Sequence, residues 1–440
     1  MQCNNNRITH FYKKILDNPI GYRIINGSFW SLSGSLLSKS VVFASTIFVA
    51  HILGQYEYGE YSMIRSTIFL FLTVSALGAG AATTKYIAEN RTKDINVAYK
   101  TYLITTCFSV IFSIVTSLLI ILFADNIATS QLHNPQLSLS VKLGAILLFF
   151  CGVNGTQAGA LSGFENFKSI ALNSFYSSIC ELIAILLGAY YYGVVGASVG
   201  SGIGYIVLTI LNHISISRHF KQVIIDKSPQ FCFRDLKIIL NFGIPSAFCN
   251  LIVALALWYV RTYLIECTNY GEVAIYNAAD QVRSFILFIP VAISQIILPM
   301  LTNLNSNKEN KSYRKVLNIN IIMQCSIAGV IALFVMVFSR FILGLWGSEF
   351  ERPIILILLA ASTIFSAFAN VVGLAIASQG KMWVGFMFNL LWSIFIIVFS
   401  IYFINAGYGA TGIAIAMLIS YVIHSILQYI YLQLILRKIK

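Results

Sequence analysis

The sequence predicts an all-α polytopic membrane protein: twelve transmembrane helices in two six-helix bundles related by a pseudo-twofold along the membrane normal. Three observations predict it. Of 440 residues 58% are hydrophobic and only 10% charged, with a mean hydropathy of +0.80, against roughly 45–50% apolar and about 25% charged in soluble domains. The apolar residues fall into runs near the ~20 residues that cross a bilayer as a helix. One long polar stretch, Ser217 to Lys237, divides those runs six and six.

Residues 1–26 form a polar, basic N-terminal segment. Within it Ile8, Phe11, Ile15 and Leu16 recur at helical spacing beside Lys13 and Lys14, which suits either a short helix on the inner leaflet or an unstructured tail. The first apolar run has no short h-region followed by a small-residue cleavage site, so it is read as a span rather than a signal peptide. Spans are placed at 27–50, 66–87, 100–124, 142–163, 169–190 and 194–216, making an N-terminal bundle over 27–217. A cytoplasmic linker, 218–237, follows. The C-terminal bundle, 238–434, holds spans at 238–260, 277–300, 316–338, 353–377, 382–404 and 408–432, and 435–440 is a cytoplasmic tail. With both termini inside, 22 of the 29 Lys and Arg residues lie on the cytoplasmic face, the bias that orients membrane proteins. The outer face keeps Arg65, Lys142, Arg261, Arg340 and Arg352, which leaves Lys39 and Arg283 within the membrane.

The halves resemble each other. Tyr58-Gly59-Glu60 recurs as Tyr270-Gly271-Glu272, at the same place relative to the first span of each half. Gly193, Gly196 and Tyr205 answer Gly409, Gly412 and Tyr421 at an offset of 216. Two six-span repeats that begin on the same side are parallel repeats. Glycine ridges at Gly155, Gly159, Gly163 and at Gly196, Gly200, Gly204 predict close helix packing, and Pro245, Pro290 and Pro299 predict bends in spans 7 and 8.

Composition also excludes functions. The formal charge of +13 is dispersed among short loops, without a basic helix or an aromatic-interleaved patch, so nucleic-acid binding is not expected. The eight cysteines are scattered without CxxC pairs, which favours neither a metal nor a disulfide framework. No phosphate loop, no HExxH and no long outer loop is present in which a hydrolytic site could be built. No enzyme activity, cofactor or metal is expected.

Six fragments carry a family resemblance over essentially the whole chain: HILGQYEYGEYS (51–62), LGAGAATTKYIAE (77–89), ALSGFENFKSIALN (160–173), FGIPSAF (242–248), YGEVAIYNAADQV (270–282) and the run from Pro290 to Leu301. Together they resemble the polysaccharide exporter, or O-antigen flippase, family of the multidrug/oligosaccharidyl-lipid/polysaccharide transporter superfamily. The resemblance implies two bundles facing a central cavity in the bacterial inner membrane. It also implies flipping of an undecaprenyl-diphosphate-linked oligosaccharide to the periplasmic leaflet. Since no hydrolytic machinery is visible, the energy is expected from a gradient, with H+ or Na+ as candidate ions, or from consumption of the flipped product, and polysaccharide-assembly proteins are candidate partners. The alternatives are an ion-coupled drug or cation antiporter of the same superfamily and a membrane oligosaccharide polymerase or ligase.

Ionisable groups inside a membrane cost ~2.5–3.5 kcal/mol or more at a helix centre, so they face a cavity or a partner. Lys39 lies ~18 Å into span 1 at 1.5 Å per residue, bordering a stripe of Ser31, Ser35, Ser38 and Ser45. It is a candidate cation for the substrate, a structural partner of Glu181, or a side chain that snorkels towards an interface. Arg283, three residues after Asp280, is either a second substrate cation or one half of a self-contained pair with Asp280. In the resembling lipid-diphosphate flippases, cations in the first and eighth spans face the cavity, which supports Lys39 and Arg283 by position. Glu181, behind Asn173 and Ser177, serves either coupling or ion pairing. Polar stripes in spans 10 to 12, including Asn370, Asn389, Ser393, His424 and Gln428, either line a wet cavity or join helices.

Overall fold

The computed structural model describes residues 19–76, 79–221, 233–306 and 309–438. The expected inner-leaflet helix near residues 8–16 and most of the linker lie outside the described residues. The main helices are α1 (Pro19–Ala76), α2 (Ala79–Asn90), α3 (Ile95–Asn126), α4 (Ser138–Gly163), α5 (Phe167–His219), α6 (Phe233–Cys267), α7 (Tyr270–Ile286), α8 (Phe288–Ser306), α9 (Asn310–Val337), α10 (Ser339–Gly344), α11 (Pro353–Ser378), α12 (Met382–Phe403) and α13 (Gly409–Lys438). Each expected span falls on a helix or helix pair to within a residue. Among the described residues eight stretches are long and apolar enough to cross a membrane. Three of these, Trp30–Thr73, Phe167–His219 and Met382–Leu436, contain a glycine break and run on into a second expected span.

Local chemistry explains the boundaries. Gly54 (φ 77°, ψ 172°) breaks α1 into two arms, and Gly193 (φ 55°, ψ −138°) breaks α5. Gly409, the repeat partner of Gly193, has nearly the same backbone, φ 51° and ψ −131°. These conformations are open essentially to glycine alone. Asp94 caps α3 by accepting from the Asn96 and Val97 N–H groups, and Asn269 caps α7 by accepting from the Glu272 N–H. Span 8 is divided at Leu287, one turn before Pro290, whose missing N–H leaves the Ile286 carbonyl without its helical partner.

Turning an apolar side chain inward from lipid gains no transfer free energy, so close approach and interhelical hydrogen bonds sort the helices. A Cβ on Gly159 would strike the Gly80 carbonyl, which brings α4 against α2. Asn173 donates to Asn212 Oδ1 at 2.9 Å, and Asn370 donates to Ser294 Oγ at 3.0 Å. Asn389 and Ser393 bond to the Cys249 and Ile252 carbonyls of α6, and Ser425 to the Phe365 carbonyl. Asn370, Asn389, Ser393 and Ser425 of spans 10 to 12 are thus committed to neighbouring helices.

Among the described residues three hydrophobic clusters set the shape. The largest joins both halves around Tyr58, Tyr61, Tyr270, Tyr276, Trp346 and Phe350, at the end that holds the Gly54, Gly193 and Gly409 breaks. At the opposite end the halves keep separate clusters, one around Ile87, Tyr102 and Phe220 and the other around Leu301, Tyr313 and Leu432. The molecule is sealed across its two halves at the glycine-break end, while at the other end each half packs on itself.

Candidate central cavity

Beneath the seal the two halves enclose a cavity of about 430 Å³. The second arm of α1 contributes Tyr58, Tyr61, Ser62, Arg65 and Ser66; α5 contributes Ser201 and Tyr205; α6 contributes Trp258 and Arg261; and α7 contributes Asn277, Asp280, Gln281 and Ser284. The roof is stitched across the halves. Asn277 donates to Ser62 Oγ at 2.8 Å, the Trp258 indole N–H to Thr67 Oγ1 at 2.9 Å, and Gln55 to the Glu349 carbonyl at 3.2 Å, while the Tyr270 hydroxyl donates to the Leu132 carbonyl. Gly59 lies so close to Tyr270 that a Cβ there would strike the Tyr270 carbonyl.

The charges in this cavity differ from the expected set. Arg65 and Arg261, placed by sequence at the outer face, line the cavity instead. Each sits one residue outside an expected span, at 65 against 66–87 and at 261 against 238–260, and the real helices run on past those limits. A readable signal was the stripe Tyr58, Tyr61, Arg65 at helical spacing. Arg65 makes no ion pair within 4 Å among the described residues; the groups that act on it are Glu181 and the hydroxyls of Tyr61, Tyr205 and Tyr58. Arg261 donates to Asp280 Oδ2 at 3.0 Å and to Ser66 Oγ at 3.3 Å, and its guanidinium lies 5.5 Å from the Tyr276 ring centroid.

Asp280 also lines the cavity, and its other oxygen, Oδ1, accepts from Arg283 Nε at 2.6 Å. Arg283 is buried behind this clamp, 8% exposed, and does not line the cavity. Lys39 is exposed, at the seam between the first arm of α1 and α8, with Nζ 4.8 Å from the Phe288 ring centroid. No ion pair joins Lys39 to Glu181 among the described residues. Glu181 packs instead against Gly204 of the second arm of α5, and the charge that acts on it is Arg65. His424 is buried, with its ring edge-on to Phe388 and 6.2 Å away.

Among the described residues the cavity lining therefore holds two guanidiniums, Arg65 and Arg261, against one carboxylate, Asp280. Arg65 is open to a ligand and Arg261 is half-committed, and an arginine pair of this kind can hold an oxyanion by parallel hydrogen bonds. Tyr58, Tyr61, Trp258, Asn277 and Gln281 add aromatic faces and amides. Among the described residues no three His, Cys, Asp or Glu side chains group as a metal site would.

Comparison with known proteins agrees with this architecture. The chain is 23% identical over 416 residues to a Shigella flexneri protein named as an O-antigen transporter, covering 93% of this chain and 97% of that one. It is 22% identical over 445 residues to an EPS I polysaccharide export inner membrane protein of Ralstonia solanacearum, covering 96% and 97%. Its fold matches the inward-facing conformation of a multidrug resistance MATE family transporter of the MOP superfamily, with a TM-score of 0.79 at 15% identity over 91% of this chain and 95% of that one. Residues 24–305, well over half the chain, match the family described as polysaccharide biosynthesis protein, and the chain belongs to that family.

Proposed function

We propose that this chain is a flippase that carries an undecaprenyl-diphosphate-linked oligosaccharide, the repeat unit of an O-antigen or related surface polysaccharide, from the cytoplasmic to the periplasmic leaflet. The observation that carries the reading is the cavity between the two repeats, where Arg65 from one half and Arg261 from the other face the same space. A diphosphate offers several acceptor oxygens to two such forks. The aromatic and amide groups beside them suit sugar rings and hydroxyls. The names of the two relatives support export of a polysaccharide.

With both termini cytoplasmic, the sealed end faces the periplasm and the divided end faces the cytoplasm, the arrangement that admits substrate from the inner leaflet. Rocking of 27–217 against 238–434 about the linker 218–237 would then break the Asn277–Ser62 and Trp258–Thr67 bonds and open the outer side. Lys39, at the seam below the cavity, is positioned to meet the head group first. Arg283 orients Asp280 and through it Arg261. Glu181, acting on Arg65, is the candidate carrier of a coupling H+ or Na+.

The test is export in cells. Loss of the protein stops surface glycan while lipid-linked repeat units collect on the inner leaflet. Arg65→Ala does the same at normal abundance, and Arg65→Lys keeps part of the activity. Undiminished glycan in an Arg65→Ala/Arg261→Ala variant removes the cationic cavity from the mechanism. Undiminished glycan on loss of the protein, with altered resistance to cationic dyes, favours a drug antiporter, for which two cavity guanidiniums would be an obstacle.

A further inference from the structure

The central cavity is not chemically uniform. Arg65 and Arg261 stand at one level, and further along the same two helices the lining turns apolar, through Phe69 and Leu72 on α1 and Leu257 and Ala254 on α6. Trp258 belongs to this apolar side. It is also a wall of a second space, a cleft of about 290 Å³ between α6 and α12. Among the described residues no other is shared by the two linings.

The cleft is built from facing apolar stripes, Ile252, Leu255 and Tyr259 on α6 against Leu390, Ile394 and Ile397 on α12. Such spacings keep each set on one helix face. Two of its polar groups are occupied: the Ser393 hydroxyl donates to the Ile252 carbonyl at 3.4 Å, and the Trp258 N–H is taken by Thr67. Leu255, Tyr259 and Ile394 are 40%, 42% and 46% exposed, so the cleft opens to the side of the molecule that lipid covers.

We propose that this cleft holds the first isoprene units of the polyprenyl chain while the diphosphate occupies the cavity, with Trp258 as the partition across which the chain leaves the protein. The inference rests on the flippase reading. A long polyprenyl chain cannot follow its head group through a polar space without leaving lipid, so it needs a lateral exit, and the shared wall at Trp258 is where cavity and cleft meet. Arg261 is three residues from Trp258, ~4.5 Å of helix rise. A diphosphate held by Arg261 therefore places its ester carbon beside the indole. Continuity with that anion site is what selects a polyprenyl diphosphate over bulk phospholipid.

The experiment uses the purified full-length protein in detergent, with undecaprenyl diphosphate and inorganic diphosphate as probes. Filling the cleft by Leu255→Trp/Ile394→Trp weakens binding of undecaprenyl diphosphate about tenfold, equivalent to ~1.4 kcal/mol, and leaves inorganic diphosphate unchanged. Undiminished undecaprenyl diphosphate binding by a monodisperse filled variant overturns the proposal. Should that variant fail to fold, the unaltered protein decides: a polyprenyl diphosphate with a photoreactive group in its first isoprene units labels peptides within 252–259 and 390–397, and label confined to α1 and α8 refutes the assignment. Equal protection from labelling by dioleoyl phosphatidic acid makes the cleft a general lipid groove and refutes it too. Retention of both probes by Arg65→Ala/Arg261→Ala is a separate failure, that of the head-group reading.

Discussion

Asp280 holds two arginines at once, and removing each member of the trio has a different consequence. Its oxygens accept from Arg283 at 2.6 Å and from Arg261 at 3.0 Å, and the three side chains are 15%, 10% and 13% exposed. Asp280→Asn strands the buried Arg283, and breaking a buried pair in this way costs about 3–5 kcal/mol, a large part of the roughly 5–15 kcal/mol that holds a typical domain folded. Asp280→Asn alone should therefore reduce membrane abundance and melting temperature. Asp280→Asn/Arg283→Met removes the buried pair together and should recover abundance, because replacing both partners with neutral side chains can be close to neutral. Arg261→Met leaves Asp280 paired with Arg283 and should cost about 1.5–3 kcal/mol of lost charge-assisted hydrogen bonding, less than stranding Arg283, yet abolish export. The assays are quantitative immunoblotting of membranes, thermal unfolding of purified protein, and surface glycan in complemented cells. The reasoning is refuted if Arg261→Met exports normally while Arg283→Met, at full abundance, loses undecaprenyl diphosphate binding. In that case Arg283, not Arg261, contacts the ligand.

Gly59→Leu should overpack the seam against Tyr270 by about 1–3 kcal/mol; in a cysteine-free background, a cysteine placed at Ser62, which lines the cavity beneath the seal, should then become labelled by an impermeant maleimide that leaves it unlabelled with Gly59 in place. Lys39→Met should leave abundance unchanged, since Lys39 is exposed and without an ion pair among the described residues, and should lower export; poor expression restored by Glu181→Gln would instead show that these two form a structural pair. Reporter fusions at Lys227 and Asn310 should read cytoplasmic, and fusions at Asn134 and Gly271 periplasmic; a periplasmic signal at Lys227 would reverse the orientation of the cavity.

Some of this protein is legible without coordinates because the determinants are local. Bilayer thickness fixes span length whatever the neighbours do, so each apolar run fell on a helix or helix pair, although the helices run on past the limits of the runs. Only glycine reaches the backbone angles at Gly193 and Gly409, so the shared glycines of the repeat marked the same break in both halves. Pro290 lacks its N–H in any context, and span 8 divides one turn before it. The two intramembrane charges on α7 were also visible as a pair, since residues three apart share a helix face.

The membership of the cavity was not legible, because it depends on where each helix ends and how it is rotated. One residue of helix is 1.5 Å of depth and 100° of rotation, which a hydropathy window cannot register. That error moved Arg65 and Arg261 from the outer face into the cavity, while Arg283 turned behind Asp280 and Lys39 came to lie at the seam. Glu181 could be seen to need a partner, but residues far apart in sequence competed for it, and packing of the two arms of α5 at Gly204 set it under the influence of Arg65 rather than beside Lys39. The sequence by itself determined that the chain is a polytopic helical membrane protein and which glycines break its helices; the tertiary structure alone decided which charges share a space, because that is settled by the rotation and contact of helices that no local pattern specifies.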